Sequence, residues 1–144
     1  DVIRAVFDTS VLIRYLIKPS AVIKELIEDL RLGDEVQMVT APELIEELEG
    51  VLARDYIQAL LRPEEGLVLL EAIEAKAEMI STLGPLPSYT RDPKDDKFIA
   101  CALAGGAEVV ITVDEDILAL GSLMNVQMMT PQDFVTLLKD RVGV

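Results

Sequence analysis

The sequence predicts an α/β fold, a parallel sheet of about four to five strands flanked by helices on both faces. Three observations predict it. Short apolar runs at 2–7, 36–40, 109–113 and 126–129 alternate with longer stretches of helical periodicity. The run Val109–Val113 is almost continuously apolar, as in a strand buried on both faces. Acidic residues follow directly on two of the runs, Asp8 after the first and Asp114 after Val113.

Taken in order, the strand at 2–7 ends at Asp8, and a short helix over 9–17 is broken by Pro19. Ser20 caps a second helix, with Val22, Ile23, Leu26, Ile27 and Leu30 at helical spacing. Gly33-Asp34 turns the chain into the strand at 36–40. Thr40-Ala-Pro-Glu43 has the form of a capping box opening a helix over about 41–54, whose stripe is Leu44, Ile45, Leu48, Val51 and Leu52. A further helix is expected over 55–61. Another opens at Pro63 and runs to about residue 79, with Leu67, Leu70, Ile73 and Ala77 facing in, before a short strand near 79–82. Residues 83–91 read as an irregular loop. Asp92-Pro93 starts the next helix, with stripe Phe98, Ile99, Ala102 and Leu103, and Gly105-Gly106 stops it. A short helix over 115–120, the strand 126–129 and a helix over 131–140 capped by Thr130-Pro131 complete the chain. The 144 residues read as one domain spanning 1–144, without repeats or linkers.

Composition narrows the chemistry. Apolar residues make up 51 %, and no apolar run approaches the roughly 18 residues of a membrane-spanning helix. The start reads as a strand and not as a signal peptide, so a cytoplasmic location is expected. Cys101 falls within an apolar helical pattern and reads as a small core residue. The absence of histidine, with one cysteine, excludes structural zinc and histidine general-base catalysis. A net charge of −13 argues against holding nucleic acid by bulk electrostatics.

The acids carry the chemistry. A parallel α/β fold gathers the C-terminal ends of its strands along one edge. There Asp8, Glu47, Asp95, and Asp114 with Asp116 would repel one another unless a hard divalent cation neutralised them. Each also has a plainer reading. Asp8 and Asp92 suit helix caps, Asp95 suits a helix N-terminus, and Glu47 suits a solvated helix face. Glu47 flanks its apolar stripe, as Glu49 does on the other side, whereas Glu46 points away. Asp95 precedes Phe98 and Ile99 by three and four positions and so projects from the buried face. Asp96 points more outward, which leaves Asp92 and Asp96 as second choices. Thr112 joins Asp114 and Asp116 in a set that capping alone does not explain.

In this order and on this pattern, the chain resembles a PIN domain, the small α/β nuclease domain found as the toxin of many toxin–antitoxin pairs. The resemblance runs through Val-Phe-Asp8-Thr-Ser-Val-Leu, Glu46-Glu47-Leu-Glu-Gly-Val-Leu, Asp92-Pro-Lys-Asp95-Asp-Lys-Phe-Ile-Ala-Cys-Ala, Val-Ile-Thr112-Val-Asp114-Glu-Asp116-Ile-Leu and Met-Thr-Pro131-Gln-Asp-Phe. It implies an acidic pocket for Mg²⁺ or Mn²⁺ and cleavage of single-stranded RNA. It implies Asp8, Glu47, Asp95 and Asp114 as catalytic and metal-binding acids and Asp116 as an auxiliary ligand, with Ser10 and Thr112 lining the pocket. It also implies a cognate antitoxin and a homodimer. Asp96 stands where this branch often has Asn, and Lys94 where Asp is common.

Other readings fit less well. A receiver-like domain needs paired acids after the first strand, where Thr9-Ser10 stand, and a lysine after the last, where Thr130-Pro131 stand. A phosphatase with an Asp-x-Asp nucleophile fails at Ser10. A PIN-fold interaction module with little catalysis remains, favoured by the negative charge.

Overall fold

The computed structural model describes residues 2–28 and 34–141. The strand β1 (Ile3–Phe7) leads to α1 (Thr9–Ile17) and α2 (Ala21–Glu28). Then come β2 (Val36–Thr40), α3 (Pro42–Leu52), α4 (Asp55–Gln58), α5 (Glu65–Lys76) and β3 (Glu78–Met79). A 3₁₀ turn (Pro93–Asp95) runs into α6 (Asp96–Ala104). The chain ends with β4 (Val109–Ile111), α7 (Glu115–Leu118), β5 (Ser122–Leu123), β6 (Val126–Met129) and α8 (Pro131–Arg141). The predicted turn at Gly33 and the stripe position Leu30 lie outside the described residues.

The sheet has six strands in the order β3-β2-β1-β4-β6-β5. All neighbours are parallel except β5 and β6. The expected four to five strands omitted β5, which pairs antiparallel with β6 through a tight turn at Met124 and Asn125, where φ is 49° and 70°. Two such residues in the left-handed region make the primed hairpin turn that matches strand twist. Only Asn125 signals it in sequence. The short strand expected at 79–82 forms one residue earlier, with Ile80 N–H continuing to Thr40 O at 2.9 Å.

Alternation along the strands splits the core between two faces. Ile3, Ala5 and Phe7 join Leu12, Leu26, Leu48, Leu69, Ile73 and Phe134 on one side. Val6, Val39 and Val110 join Phe98, Ile99, Cys101 and Ile117 on the other. Cys101 is a core residue as expected, and its thiol is pushed up to about 12, first by burial and then by Glu43. The end of α6 packs against the sheet through Gly105, where a Cβ would meet Val39 Cγ1 at 2.5 Å.

Two local expectations fail. The capping box at Thr40 does not form, because Thr40 is buried as the last residue of β2 and Ala41 takes the cap position. Glu43 instead turns to the loop before α6, accepting from Leu83 N–H at 2.8 Å. In α5 the buried positions are Leu69 and Ile73, while Leu67 is exposed. The other predicted caps hold: Ser20 Oγ accepts from Ile23 N–H at 3.1 Å and Thr130 Oγ1 from Asp133 N–H at 3.1 Å.

The topology places a crevice. From β1 the chain passes to β2 and β3 on one side, and to β4 and β6 on the other. The C-terminal ends of β1 and β4, paired at Phe7 and Ile111, are therefore the switch point where open α/β sheets bind ligands.

Candidate functional site

Asp8 follows β1 directly, and its backbone N–H extends the ladder to Ile111 O at 2.9 Å. It occupies the cap position of α1, but its carboxylate reaches across to β4. Oδ2 accepts from Thr112 Oγ1 at 2.6 Å and from Ser10 Oγ at 2.7 Å. Thr112 is fully buried, and its hydroxyl also accepts from Asp114 N–H at 2.9 Å. A chain of hydrogen bonds thus runs from Ser10 through Asp8 and Thr112 to the backbone of Asp114. Burial pushes the Asp8 pKa above its ordinary value. The Thr112 and Ser10 hydroxyls pull it back, and the Glu47 charge adds to the rise.

Asp114 heads α7, where Oδ1 accepts from Asp116 N–H at 2.8 Å. Asp116 itself is exposed. Glu47 lies half-buried on α3, while Glu46 and Glu49 are exposed. Position on the helix could not separate Glu47 from Glu49; tertiary partners do. Glu47 Oε2 accepts from Thr9 Oγ1, and Lys97 Nζ stands 2.9 Å from its Oε1.

Asp95 closes the 3₁₀ turn ahead of α6. Its pKa is pushed up to about 7, first by burial and then by the charges of Asp114, Asp8, Asp92 and Glu47. Acids from four separate segments therefore act on Asp95 at once. Asp92 caps the 3₁₀ turn, its Oδ1 accepting from Lys94 N–H at 3.0 Å.

Asp96 corrects the helical-wheel expectation. It does not point outward: it is 4 % exposed, and its Oδ1 accepts from Tyr89 N–H at 2.9 Å, Thr90 N–H at 2.8 Å and Thr90 Oγ1 at 3.0 Å. The loop folds back over that side of α6, which no periodicity reveals. Asp96 anchors backbone, whereas Asp95 shares its electrostatic environment with the other acids.

Sequence reasoning missed Thr9 and Lys97. Thr9 reads as one more cap residue after Asp8. A hint for Lys97 exists, since a lysine in the first turn of a helix opposes the helix dipole and calls for a local partner. Among the described residues, no three acids stand close enough together to hold a metal ion as placed. The donors are nonetheless all oxygens, which suits a hard cation in kind.

A family model for the PIN domain matches residues 4–116. The chain belongs to the PIN domain family. PIN domains are generally nucleases, and PIN nucleases generally use divalent metals. Comparison with curated proteins finds no match. Two solved structures share its fold at 13 % identity each. One is VapBC2 from Rickettsia felis, bound to a DNA fragment from its promoter; it has a TM-score of 0.58, covering 88 % of this chain and 97 % of that one. The other is PAE2754 from Pyrobaculum aerophilum, with a TM-score of 0.59, covering 96 % of this chain and 90 % of that one. Among the described residues of this PIN domain, no helix is long and apolar enough to cross a membrane.

The site yields a pH prediction for the chain in EDTA. Asp95 has a folded-state pKa of about 7 against an ordinary value of 3.8, so the folded form binds its proton more tightly. Below the unfolded pKa both states hold that proton and Asp95 costs nothing. The cost grows as pH rises between the two values and is complete above the folded one. Asp95→Asn is therefore expected to melt above wild type at about pH 8, with the gap closing toward about pH 4. Thermal melts across that range check it, and a gap independent of pH counts against the assignment.

Proposed function

We propose that this PIN domain is an endoribonuclease acting on single-stranded RNA, dependent on Mg²⁺ or Mn²⁺, and the toxin of a toxin–antitoxin pair. The observation that carries the reading is the gathering of acids at the switch point of the sheet, where β1 meets β4. Burial first, and then the charges of acids following β1, on α3, before α6 and after β4, raise the Asp95 pKa to about 7. A fold does not gather like charges at its ligand crevice for stability.

Asp8, Asp95 and Asp114, with Glu47, are the proposed catalytic acids and cation ligands, and Asp116 the auxiliary one. These acids would hold a divalent cation, which when bound would polarise the phosphate and activate a water. The chain's own part is to aim the acids. Ser10 and Thr112 orient Asp8, Asp114 is fixed as the cap of α7, and Asp92 shapes the turn that presents Asp95. The test is cleavage of a panel of single-stranded RNAs in Mn²⁺ and in EDTA. Equal products in both, or none in Mn²⁺, would favour a PIN-fold interaction module instead.

Two partners belong to the same reading. The negative net charge leaves the free chain poorly suited to RNA and well suited to a basic segment. We place an arginine or lysine of the antitoxin against Asp8 and Asp114, blocking cation and substrate together. A groove of about 620 Å³ between α1, α2 and α5, lined by Leu12, Tyr15, Leu16, Ile27 and Leu69 among others, would take an apolar part of the same partner. Asp8→Asn and Asp114→Asn should each weaken that complex in titration calorimetry; unchanged affinity in both would leave the groove as the sole contact.

The second partner is another copy of the chain. Of the apolar residues between 55 and 79, Ile57, Leu69 and Ile73 fill the core. Tyr56, Leu60, Leu67 and Val68 are 58–62 % exposed. An exposed apolar set of this kind marks a contact surface. Light scattering at micromolar concentration is expected to give a dimer mass, and Leu60→Glu with Leu67→Glu a monomer. A monomeric wild type removes the homodimer.

A further inference from the structure

We propose that Lys97 is the resident cation of the acidic site, holding Glu47 in the metal-free chain and competing with a divalent ion for that carboxylate. This rests on the nuclease reading above. Lys97 is the second residue of α6, in the turn where a positive charge opposes the helix dipole. Lysines normally extend their charged ends into water. This one turns inward instead: its side chain is 20 % exposed, that of Glu47 22 %, and Nζ lies 2.9 Å from Oε1. The other carboxylate oxygen of Glu47 is already taken by the hydroxyl of buried Thr9. Both oxygens of Glu47 thus already accept, so a divalent ion using this carboxylate meets the ammonium as a competitor.

The wider cluster agrees. Asp95 and Asp96 directly precede Lys97 in the chain, so the lysine belongs to the same segment that carries a proposed ligand. The other described ion pairs, Arg4 with Glu78 and Arg141 with Glu108, lie away from this edge. Lys97 is therefore a positioning residue, acting through Glu47: it offsets the charge of that carboxylate and makes cation binding there a displacement.

Removing the ammonium leaves the acids uncompensated, so a doubly charged ion gains. Calorimetric titration with Mn²⁺ alone is expected to show Lys97→Gln binding about tenfold tighter than wild type. Lys97→Arg, which keeps the charge, is expected to retain wild-type affinity. Glu47→Gln is expected to abolish the gain when combined with Lys97→Gln. In the wild-type chain, nuclear magnetic resonance of the lysine ammonium should show Lys97 protected from solvent exchange without metal and released as Mg²⁺ saturates. That arm needs no variant to fold. Mn²⁺ binding that depends on Asp8, with unchanged or weaker affinity in Lys97→Gln, overturns the proposal and leaves the nuclease reading standing. So does a Lys97 ammonium whose exchange ignores Mg²⁺. Absence of any Asp8-dependent Mn²⁺ binding overturns both.

Discussion

Asp8→Asn is expected to lower Mn²⁺-dependent cleavage of single-stranded RNA by about 10²–10⁴-fold while the chain stays folded. The two halves of that expectation come from different features of the same side chain. Asp8 lies where β1 meets β4, with Glu47 and Asp95 within reach of its charge, so it is central among the proposed ligands. Its loss removes one negative oxygen donor that no neighbouring group can replace. Stability behaves otherwise. Burial raises the Asp8 pKa, which means that the ionised carboxylate costs the fold free energy above that pKa and nothing below the unfolded one. An asparagine removes this cost at neutral pH, and its side-chain oxygen can still accept from Thr112 and Ser10. Circular dichroism and melting of the variant in EDTA should match or exceed wild type. Full activity in Asp8→Asn would sink the site assignment; loss of activity together with unfolding would show Asp8 to be structural.

How far the site could be read beforehand depended on whether the deciding contact was local. Asp8 and Asp114 were legible because each directly follows an apolar strand, and strand ends in a parallel sheet share one edge. Asp95 was singled out by its spacing to Phe98 and Ile99, both buried, yet it stands half-exposed in the 3₁₀ turn. Glu47 was not separable from Glu49, since the two flank the same stripe and only Thr9 and Lys97 distinguish them. Asp96 was misplaced because a helical wheel assumes that the face away from the sheet meets water. Here residues 89 and 90 cover it, through contacts that periodicity does not encode. In α5 the wheel was likewise misjudged, since Leu69 and Ile73 face the core while Leu67 is exposed. The β5–β6 hairpin was missed because its turn is Met124-Asn125 and lacks the usual glycine.

Asp96 therefore carries the largest expected effect on stability outside the apolar core. Its Oδ1 satisfies two backbone N–H groups and one hydroxyl of the segment that leads into the 3₁₀ turn. The one hydroxyl proton of Thr90 is shared between Asp96 Oδ1 at 3.0 Å and Asp92 O at 2.6 Å, so the anchor extends to the residue that caps the turn holding Asp95. In Asp96→Ala those donors lose their shared acceptor at a position 4 % exposed, where water has little access. Hydrogen bonds to a charged group, and donors left unsatisfied by its removal, set the loss at about 3 kcal/mol, or about 10 °C in melting temperature for a chain of this size. Asp96→Asn keeps one acceptor oxygen in place and is expected to lose less than about 1 kcal/mol. The pair of variants separates the acceptor from the charge. If alanine and asparagine destabilise equally, the charge and not the loop anchor is what the fold uses. If neither destabilises, the contacts of Asp96 with residues 89 and 90 are incidental. If only alanine does, Asp96 is the strut that presents Asp95, and RNA cleavage by Asp96→Ala at a temperature below its melting point should fall with the loosened turn while Asp96→Asn stays near wild type.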